Sequence, residues 1–530
     1  MRKNLFPFIL LLFIHLLFLL PLFTHPFYQS HDGELHLARF AAYVKAFQDG
    51  HIPPRWAGDL NYGYGTPALN FFAPLAGYLA SALYAVGFDL SDAFRVIIGV
   101  AFVAAPLTFY VWLSQTTYKR FAFIGALLFG LAPYQLLNLY VRGDIGELLG
   151  IIFVPFVLAS IDAWKKKPTT TNPTAAAVGF ALVILSHNAI SLMFAPIILL
   201  YALLTTDRKA IWKIFAMLAI GFGLSAYFWI PGLWDQQYLN SQLFSSMFRD
   251  HFATLSGLMY KPWGFGTGIH ESGGLSPQIG LLLFILAFSS IFFAQRAAPE
   301  RKQLFFWIVV FLIGMFLSTS VSSFLWEMLP LLSKLQFPWR FVSVASFAGV
   351  ILAVFTLKHI NNRWFTTFIT ILVIATGIPL AIIFKPIIVT DETAFAHNGT
   401  TALHGEATTR WTAGDASALP SERFQIIAGS GTIENVARKT ARHTFTSTAN
   451  TEITVLYNTT YFPGWKVFVG EKETPIQFQN PSHRGLITFI VPQGKHAVTV
   501  AFMETKIRTL ANIISLLSLG FVIVLFVLSL

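Results

Sequence analysis

Thr66-Pro67-Ala68-Leu69-Asn70-Phe71-Phe72-Ala73-Pro74-Leu75-Ala76-Gly77-Tyr78-Leu79-Ala80-Ser81-Ala82-Leu83-Tyr84-Ala85-Val86-Gly87 is the stretch on which the topology of this chain turns. It is apolar for about the 20 residues that a membrane span needs. It also contains Pro67, Pro74 and Gly77, which disfavour a regular helix because proline removes a backbone donor and glycine frees the chain. The basic loops decide the reading. Lys119-Arg120, Lys165-Lys166-Lys167, Asp207-Arg208-Lys209, Arg296 to Lys302 and Lys358 to Arg363 are separated from one another by pairs of apolar segments. Such loops belong on the cytoplasmic side. They all lie there only if exactly one segment between residues 24 and 119 fails to cross. The segment 68–87 is therefore read as an interfacial or re-entrant helix inside a large first outer loop, residues 24–94.

Working outward, the other apolar segments lie near 5–23, 95–114, 121–139, 148–163, 174–187, 190–205, 214–234, 278–295, 303–319, 340–357, 364–384 and 507–530. They give about twelve spans and a mainly α, polytopic transmembrane helical bundle. Of the 530 residues 55% are hydrophobic and only 12% charged, against about a quarter charged in soluble domains. Backbone groups in lipid must be satisfied within helices or closed barrels, and long apolar runs without alternation select helices. The net charge of +11 is assigned to cytoplasmic loops and not to nucleic-acid binding. The chain has no cysteine, which excludes disulfides, thiolate metal sites and a cysteine nucleophile. Met1-Arg2-Lys3 precedes the first apolar run, and the bulky Thr24-His25-Pro26-Phe27 offers no small-residue cleavage site. The first segment is thus expected to be a retained span with its N-terminus in the cytoplasm. The plasma membrane is the expected location.

Residues 385–506 change character. They are polar and rich in threonine, and Glu452-Ile453-Thr454-Val455-Leu456 and Ala497-Val498-Thr499-Val500-Ala501-Phe502 alternate with period two, the pattern of half-buried strands. Pro463-Gly464 and Pro492-Gln493-Gly494 are turn signals. A small β-sandwich-like domain is expected outside the membrane, following a transmembrane module of residues 1–384 and returned to the bilayer by 507–530. Tyr461 to Trp465 reads as a structural turn with core aromatics. Asn398-Gly399-Thr400 and Asn458-Thr459-Thr460 match a glycosylation sequon of three residues, too short to inform.

The expected outer face, residues 24–94, 140–147, 235–277, 320–339 and 385–506, carries the chemistry-bearing residues. In a helix over 33–48, Asp32, His36, Arg39 and Tyr43 share one face. A carboxylate held there by histidine or arginine suits a general base acting on a hydroxyl, whereas helix capping alone is the plainer role for Asp32. Glu34 points elsewhere and serves equally as a first-turn charge. Asp144-Ile145-Gly146-Glu147 has the spacing of a capping box. The same two carboxylates could hold a hard divalent cation, magnesium or manganese, with Arg142 contacting a phosphate directly instead. His187-Asn188 sits at the outer turn of a helical hairpin and is either a polar turn or part of a reaction chamber. Arg340, in Gln336-Phe337-Pro338-Trp339-Arg340, is either a snorkelling anchor or a phosphate ligand. The loop 235–277, with Arg249, His251, Tyr260, Lys261, Trp263 and His270, is long enough to bind something or to be disordered; its aromatics favour order.

The order of these motifs resembles the C-type superfamily of polytopic membrane glycosyltransferases. The resemblance rests on Asp32 and Glu34, on Gly50-His51-Ile52-Pro53-Pro54-Arg55-Trp56 through Gly63-Tyr64-Gly65-Thr66-Pro67, and on Arg142 to Glu147. Phe337-Pro338-Trp339-Arg340 and Tyr461-Phe462-Pro463-Gly464-Trp465-Lys466 are similar to the branch of YfhO-type bacterial membrane proteins and to the branch labelled pyruvoyl-tetrahydropterin-synthase-related. No cluster of metal-binding histidines supports pterin chemistry. The resemblance implies a polyprenyl-phosphate-linked sugar donor, an extracytoplasmic acceptor and an inverting transfer. It implies Asp32, or else Glu34, as catalytic base, and Asp144 and Glu147 as acids or metal ligands. His36, Arg39, Arg142, His187, Arg340, His251 and Trp263 are the expected substrate-binding residues, and the β domain is expected to bind the acceptor or cover the site. Two rival readings are a lipid-linked glycan flippase, which the lack of acids at the bilayer midplane and of a half-to-half repeat opposes, and a non-catalytic scaffold for envelope assembly.

Overall fold

The computed structural model describes residues 2–24, 27–167, 171–240, 246–296, 300–382, 386–387, 407–412, 416 and 418–527. Asn398 and most of 385–417 lie outside the described residues. Each of the twelve expected spans coincides with an apolar helix. Eight are long and apolar enough to cross a membrane: Leu5–Thr24, Leu90–Leu113, Lys119–Arg142, Ile145–Lys166, Asn188–Thr205, Arg301–Ser318, Pro338–Ile360 and Lys506–Val527. The pair Ile211–Leu224 and Ala226–Tyr238 raises the number to 9 if it counts as one span, and Thr171–Ser186, Leu281–Ala294 and Arg363–Ile378 are shorter apolar helices.

The stretch 66–87 forms a short 3-10 turn, Ala68–Asn70, and an 11-residue helix, Leu75–Ala85. At 1.5 Å per residue that helix is about 16 Å long, roughly half the hydrocarbon thickness. A second connection agrees with this reading. The backbone of His31 and Asp32 donates to the carbonyls of Val141 and Arg142 at 3.0 and 2.8 Å. Helix Leu90–Leu113 leads away from this end of the bundle and Lys119–Arg142 returns to it. The segment between residues 32 and 90 therefore starts and finishes at the same end of the bundle, as expected for a segment that does not cross.

The bend within Ile211–Tyr238 is 68° and has an identifiable cause. Ser515, from the last helix, inserts its hydroxyl into the break, donating to the Gly223 carbonyl at 2.9 Å and accepting from the Tyr227 amide at 2.8 Å. A side chain entering the backbone ladder is a recognised source of sharp kinks.

Strands from Phe424 to Phe502 form a two-sheet sandwich. The five-stranded sheet runs in the order Gly431–Lys439, Arg442–Ala449, Gly494–Phe502, Trp465–Val469, Lys472–Thr474, and the three-stranded sheet in the order Phe424–Ala428, Ile453–Thr460, Leu486–Val491. The period-two residues face inward as expected: Val455, Val498 and Val500 are buried between the sheets with Phe445 and Phe489. Phe462 and Trp465 belong to the same core, and Asn458 is buried with its amide donating to the Glu422 carbonyl.

One residue of that core comes from far away in sequence. Trp56, between helix Gly33–Gln48 and the turn Ala68–Asn70, is buried edge-on against Trp465 (ring centroids 5.3 Å apart) and tilted against Phe502. Around it, Thr460 bonds the carbonyls of Tyr64 and Gly65, and Thr440 bonds the Asp49 carboxylate at 2.7 Å. Beneath it lies a buried polar chain: Arg55 donates to Glu504, Asn70 and Asn512, Asn70 to Asp235, and Arg508 to the same Asp235 oxygen at 2.9 Å. The sandwich is thus built onto residues 49–66. Trp56→Ala, which deletes a fully buried aromatic, is expected to cost about 3–5 kcal/mol. Limited proteolysis should then release the sandwich at lower temperature than in the parent, and an unchanged proteolysis midpoint would refute this docking.

Candidate active site

The chain between the first two long apolar helices reaches the site through a small substitution of roles at the start of helix Gly33–Gln48. Asp32 occupies the N-cap position but makes no capping bond with its side chain. Ser30 does the capping instead, its hydroxyl accepting from the Gly33 amide at 3.2 Å. Among the described residues the Asp32 carboxylate has no side-chain hydrogen bond, and it remains partly exposed. Its backbone is pinned to Arg142 by the 2.8 Å bond described above. Gly143 makes this approach feasible: it sits at φ 65°, and a Cβ there would come within 2.5 Å of the Ser30 hydroxyl.

The second loop is shaped by a π-helical turn, Asn138–Arg142, at the end of an apolar helix, the kind of local widening often found at functional sites. Arg142 donates to the Asn138 side chain and to Asp144 Oδ2, each at 2.6 Å. Asp144 then caps helix Ile145–Lys166, its Oδ1 accepting from the Glu147 amide at 2.9 Å. The capping reading is therefore correct for one oxygen of Asp144 and silent about the other. Glu147 does not complete a capping box. Its fully buried carboxylate faces Arg142 Nη1 at 3.0 Å and Arg340 Nε at 3.3 Å, and accepts from the Tyr134 hydroxyl at 2.8 Å and the Asn138 amide at 3.3 Å.

Two further elements close the cluster. Arg340 comes from the turn Pro338–Phe341, held by a 2.7 Å bond to the Leu335 carbonyl, while Trp339 lies 4.7 Å from the Arg142 guanidinium. His187 caps helix Asn188–Thr205, its Nδ1 accepting from the Ile190 amide at 3.2 Å, and its Nε2 lies 4.0 Å from Asp144 Oδ2. Gly146 permits this contact, since a Cβ there would meet the His187 ring at 2.9 Å.

The electrostatics separate the two aspartates. Burial, reinforced by the negative charge of Asp144, pushes the Asp32 carboxyl up to about 6, against the pull of Arg142, Arg39 and Arg340. Burial acts on Asp144 as well, but the Arg142 guanidinium, His187 and the Glu147 amide hold it well below the usual carboxylate range. Burial keeps His187 below the ordinary imidazole value and lowers His36 to about 3, so both are neutral at pH 7. The site therefore pairs one permanently charged carboxylate with one that titrates close to neutrality, the separation that distinguishes acid–base partners.

Asp32, Arg142, Asp144, Glu147, His187 and Arg340, all anticipated from sequence, meet here. His36 lies one turn along its helix from Asp32, near the rings of Phe40 and Phe94. Arg39 stacks over Phe72 at 3.7 Å. Glu34 is exposed. The loop after residue 246 packs over the cluster: His31 Nε2 bonds the Phe265 carbonyl at 2.8 Å, His251 stands edge-on to Phe337 at 4.7 Å, and Trp263 packs on the bundle core. Described contacts of the sandwich fall on residues 49–71 and around Asp235. Lys261 orders the loop, its ammonium bonding the carbonyls of Ile269 and Leu275. Sequence reasoning missed Tyr134 and Asn138; they sit in an apolar run, and their only signal was polarity close to a helix end.

Asp144, Glu147 and His187 each place one ligand-type atom within 4.8 Å of the others, the donor types a hard divalent cation accepts. In the arrangement described these groups are otherwise engaged. Arg142 bridges both carboxylates. With Nδ1 of His187 accepting from Ile190, the neutral ring carries its proton on Nε2, the nitrogen facing Asp144. A cation there would be held by Asp144 and Glu147 once Arg142 turned aside, and would supply Lewis-acid stabilisation of a phosphate oxygen.

Several known proteins are similar to this chain. An uncharacterized protein of Lactococcus lactis subsp. cremoris is 25% identical over 238 residues, which cover 42% of this chain and 39% of that protein. The chain thus matches about two fifths of that relative's length. Among solved structures, the mycobacterial arabinofuranosyltransferase AftD superposes with a TM-score of 0.48 at 16% identity over 70% of this chain and 26% of its own. The Archaeoglobus fulgidus oligosaccharyltransferase gives 0.45 at 15% identity over 74% and 56%. Residues 69–390, more than half of the chain and including every cluster residue except Asp32, match one family throughout, and the chain belongs to it: the membrane proteins of the 6-pyruvoyl-tetrahydropterin synthase related domain family.

Proposed function

We propose that this protein is a membrane glycosyltransferase that moves a sugar from a polyprenyl-phosphate donor to a hydroxyl acceptor on the extracytoplasmic side, with inversion. The observation that carries the reading is Asp32: a partly exposed carboxylate released from capping, raised to about 6, and fixed beside two guanidiniums. A general base works best with a pKa near the working pH. Asp32 takes the proton of the acceptor hydroxyl, whose oxygen attacks the anomeric carbon as the bond to the lipid phosphate breaks. Arg142 and Arg340 face the charge that develops on that phosphate; planar guanidiniums match it in geometry. Neutral His36 and His187 add polar groups without adding charge.

The test is turnover by the purified protein in nanodiscs with a panel of polyprenyl-phosphate sugars and hydroxyl acceptors, followed as release of the lipid phosphate. With Asp32 as base, the rate is expected to rise with pH through about 6 and then level off. A rate that falls across that range would reverse the assignment and make Asp32 an acid. A chelated arm assigns the charge on the leaving group. Turnover that survives chelation leaves that charge to Arg142 and Arg340. Loss restored by magnesium or manganese puts a cation on Asp144 and Glu147. Absence of turnover with every pair, in protein shown to be folded, favours the scaffold; a labelled lipid crossing proteoliposomes favours the flippase.

A further inference from the structure

Between helix Arg301–Ser318 and the turn Pro338–Phe341 the chain makes a 3-10 turn, Ser320–Ser322, and two short helices, Ser323–Met328 and Pro330–Ser333. Their faces differ sharply. Trp326 is fully buried against the bundle, stacked on Phe248 at 5.7 Å and donating to the Leu317 carbonyl at 3.2 Å. The side facing away leaves Val321 70%, Phe324 57%, Met328 64% and Leu331 55% exposed. The charged groups sit beside this face and are tied back to neighbouring loops, Glu327 to Arg249 at 3.6 Å and Lys334 to Gln236 at 2.8 Å.

Large contiguous apolar exposure on a folded surface marks a partner. The adjoining span names that partner, because its own outward residues Leu312 and Ile313 are exposed in the same way, and outward residues of a span meet lipid. The segment starts two residues after one spanning helix and ends four residues before another. It therefore cannot rise far from the membrane surface. Apolar side chains on one face with charges beside them are what an element lying in the interfacial plane requires.

We propose that residues 320–334 are a membrane-interface element whose Val321, Phe324, Met328 and Leu331 enter the acyl region of the leaflet at the site end of the bundle. The inference stands independently of the transfer reaction. It has a geometric corollary: Arg340 follows this element within the same connection, so the depth of the element sets the depth of the Arg340–Glu147 pair relative to the lipid phosphates.

The chain has no cysteine, so V321C, F324C, M328C, L331C and E327C can each carry one spin label in otherwise unaltered protein in phospholipid nanodiscs. Collision with oxygen, which concentrates in lipid, is expected to exceed collision with a water-soluble nickel chelate several-fold at 321, 324, 328 and 331, with the order reversed at 327. Free access of the chelate to all four would show that they face water and overturn the proposal. Low access of both reagents at all four would overturn it too, showing cover by protein, either the sandwich or a second copy. The positions report separately, so one variant that fails to fold leaves the others decisive.

Discussion

Asp32→Asn is expected to lower turnover by about 10²–10⁴, the range lost when a positioned proton acceptor is removed, and to leave the melting temperature unchanged or slightly raised. The second half of this result distinguishes it from damage. The pKa of Asp32 is raised in the folded protein to about 6. A group raised in this way stabilises the fold below its unfolded value, and that contribution is lost as pH rises to about 6. At neutral pH the ionised carboxylate therefore opposes folding. Its bland role, capping helix Gly33–Gln48, is already filled by Ser30, so an amide at this position removes no helix-stabilising bond. Glu34→Gln is the matched control: Glu34 is exposed two residues away, and its replacement should leave turnover close to the parent value. Near-normal turnover in folded Asp32→Asn would end the assignment, and loss confined to Glu34→Gln would transfer it to the neighbouring acid.

Glu147→Ala is expected to cost about 3–5 kcal/mol of stability, because removing one partner of a buried ionic group leaves the others uncompensated. Glu147 accepts from the Tyr134 hydroxyl and the Asn138 amide and is ion-paired with the guanidiniums of Arg142 and Arg340. Truncation leaves the buried Arg142 guanidinium with Asp144 as its remaining ion-pair partner among the described residues, removes the carboxylate paired with Arg340 and strands the phenol. Glu147→Gln keeps the shape and part of the hydrogen bonding but loses the charge, so it should fall between parent and alanine variant. Thermal unfolding in nanodiscs reads both. An unchanged midpoint for Glu147→Ala would mean that the pairing with Arg142 and Arg340 does not hold this end of the bundle together.

Much of this was legible in the sequence where the signal is local. Helix Gly33–Gln48 ends where apolar spacing and the Asp32 position put its limits. Pro67, Pro74 and Gly77 marked 66–87 as an irregular segment, and alternation revealed the sandwich. The cluster residues were recognisable because arginine and carboxylate pairs at the ends of apolar runs have few structural uses. Three things were not legible, each for the same physical reason: the information lies in contacts remote in sequence. Whether Asp144 spends both oxygens on its own helix depends on Arg142 and the π-turn that aims it. The placement of the loop beside the site depends on contacts such as that of His31 with the Phe265 carbonyl and of His251 with Phe337. Tyr134 and Asn138 read as ordinary members of an apolar run until Glu147 is placed beside them.

The placement of Trp56 in the core of the sandwich also governs the order of biosynthesis. Trp56 is translated early, and its partners Trp465 and Phe502 come some four hundred residues later. At roughly 5–20 residues per second the indole waits tens of seconds on the ribosome's schedule for its binding site to exist. Through that interval the first outer loop is an apolar surface without its cover, the species most exposed to chaperones and proteases. Commitment of the amino-terminal region to its final form is thus a late event, triggered by the last strands to be made.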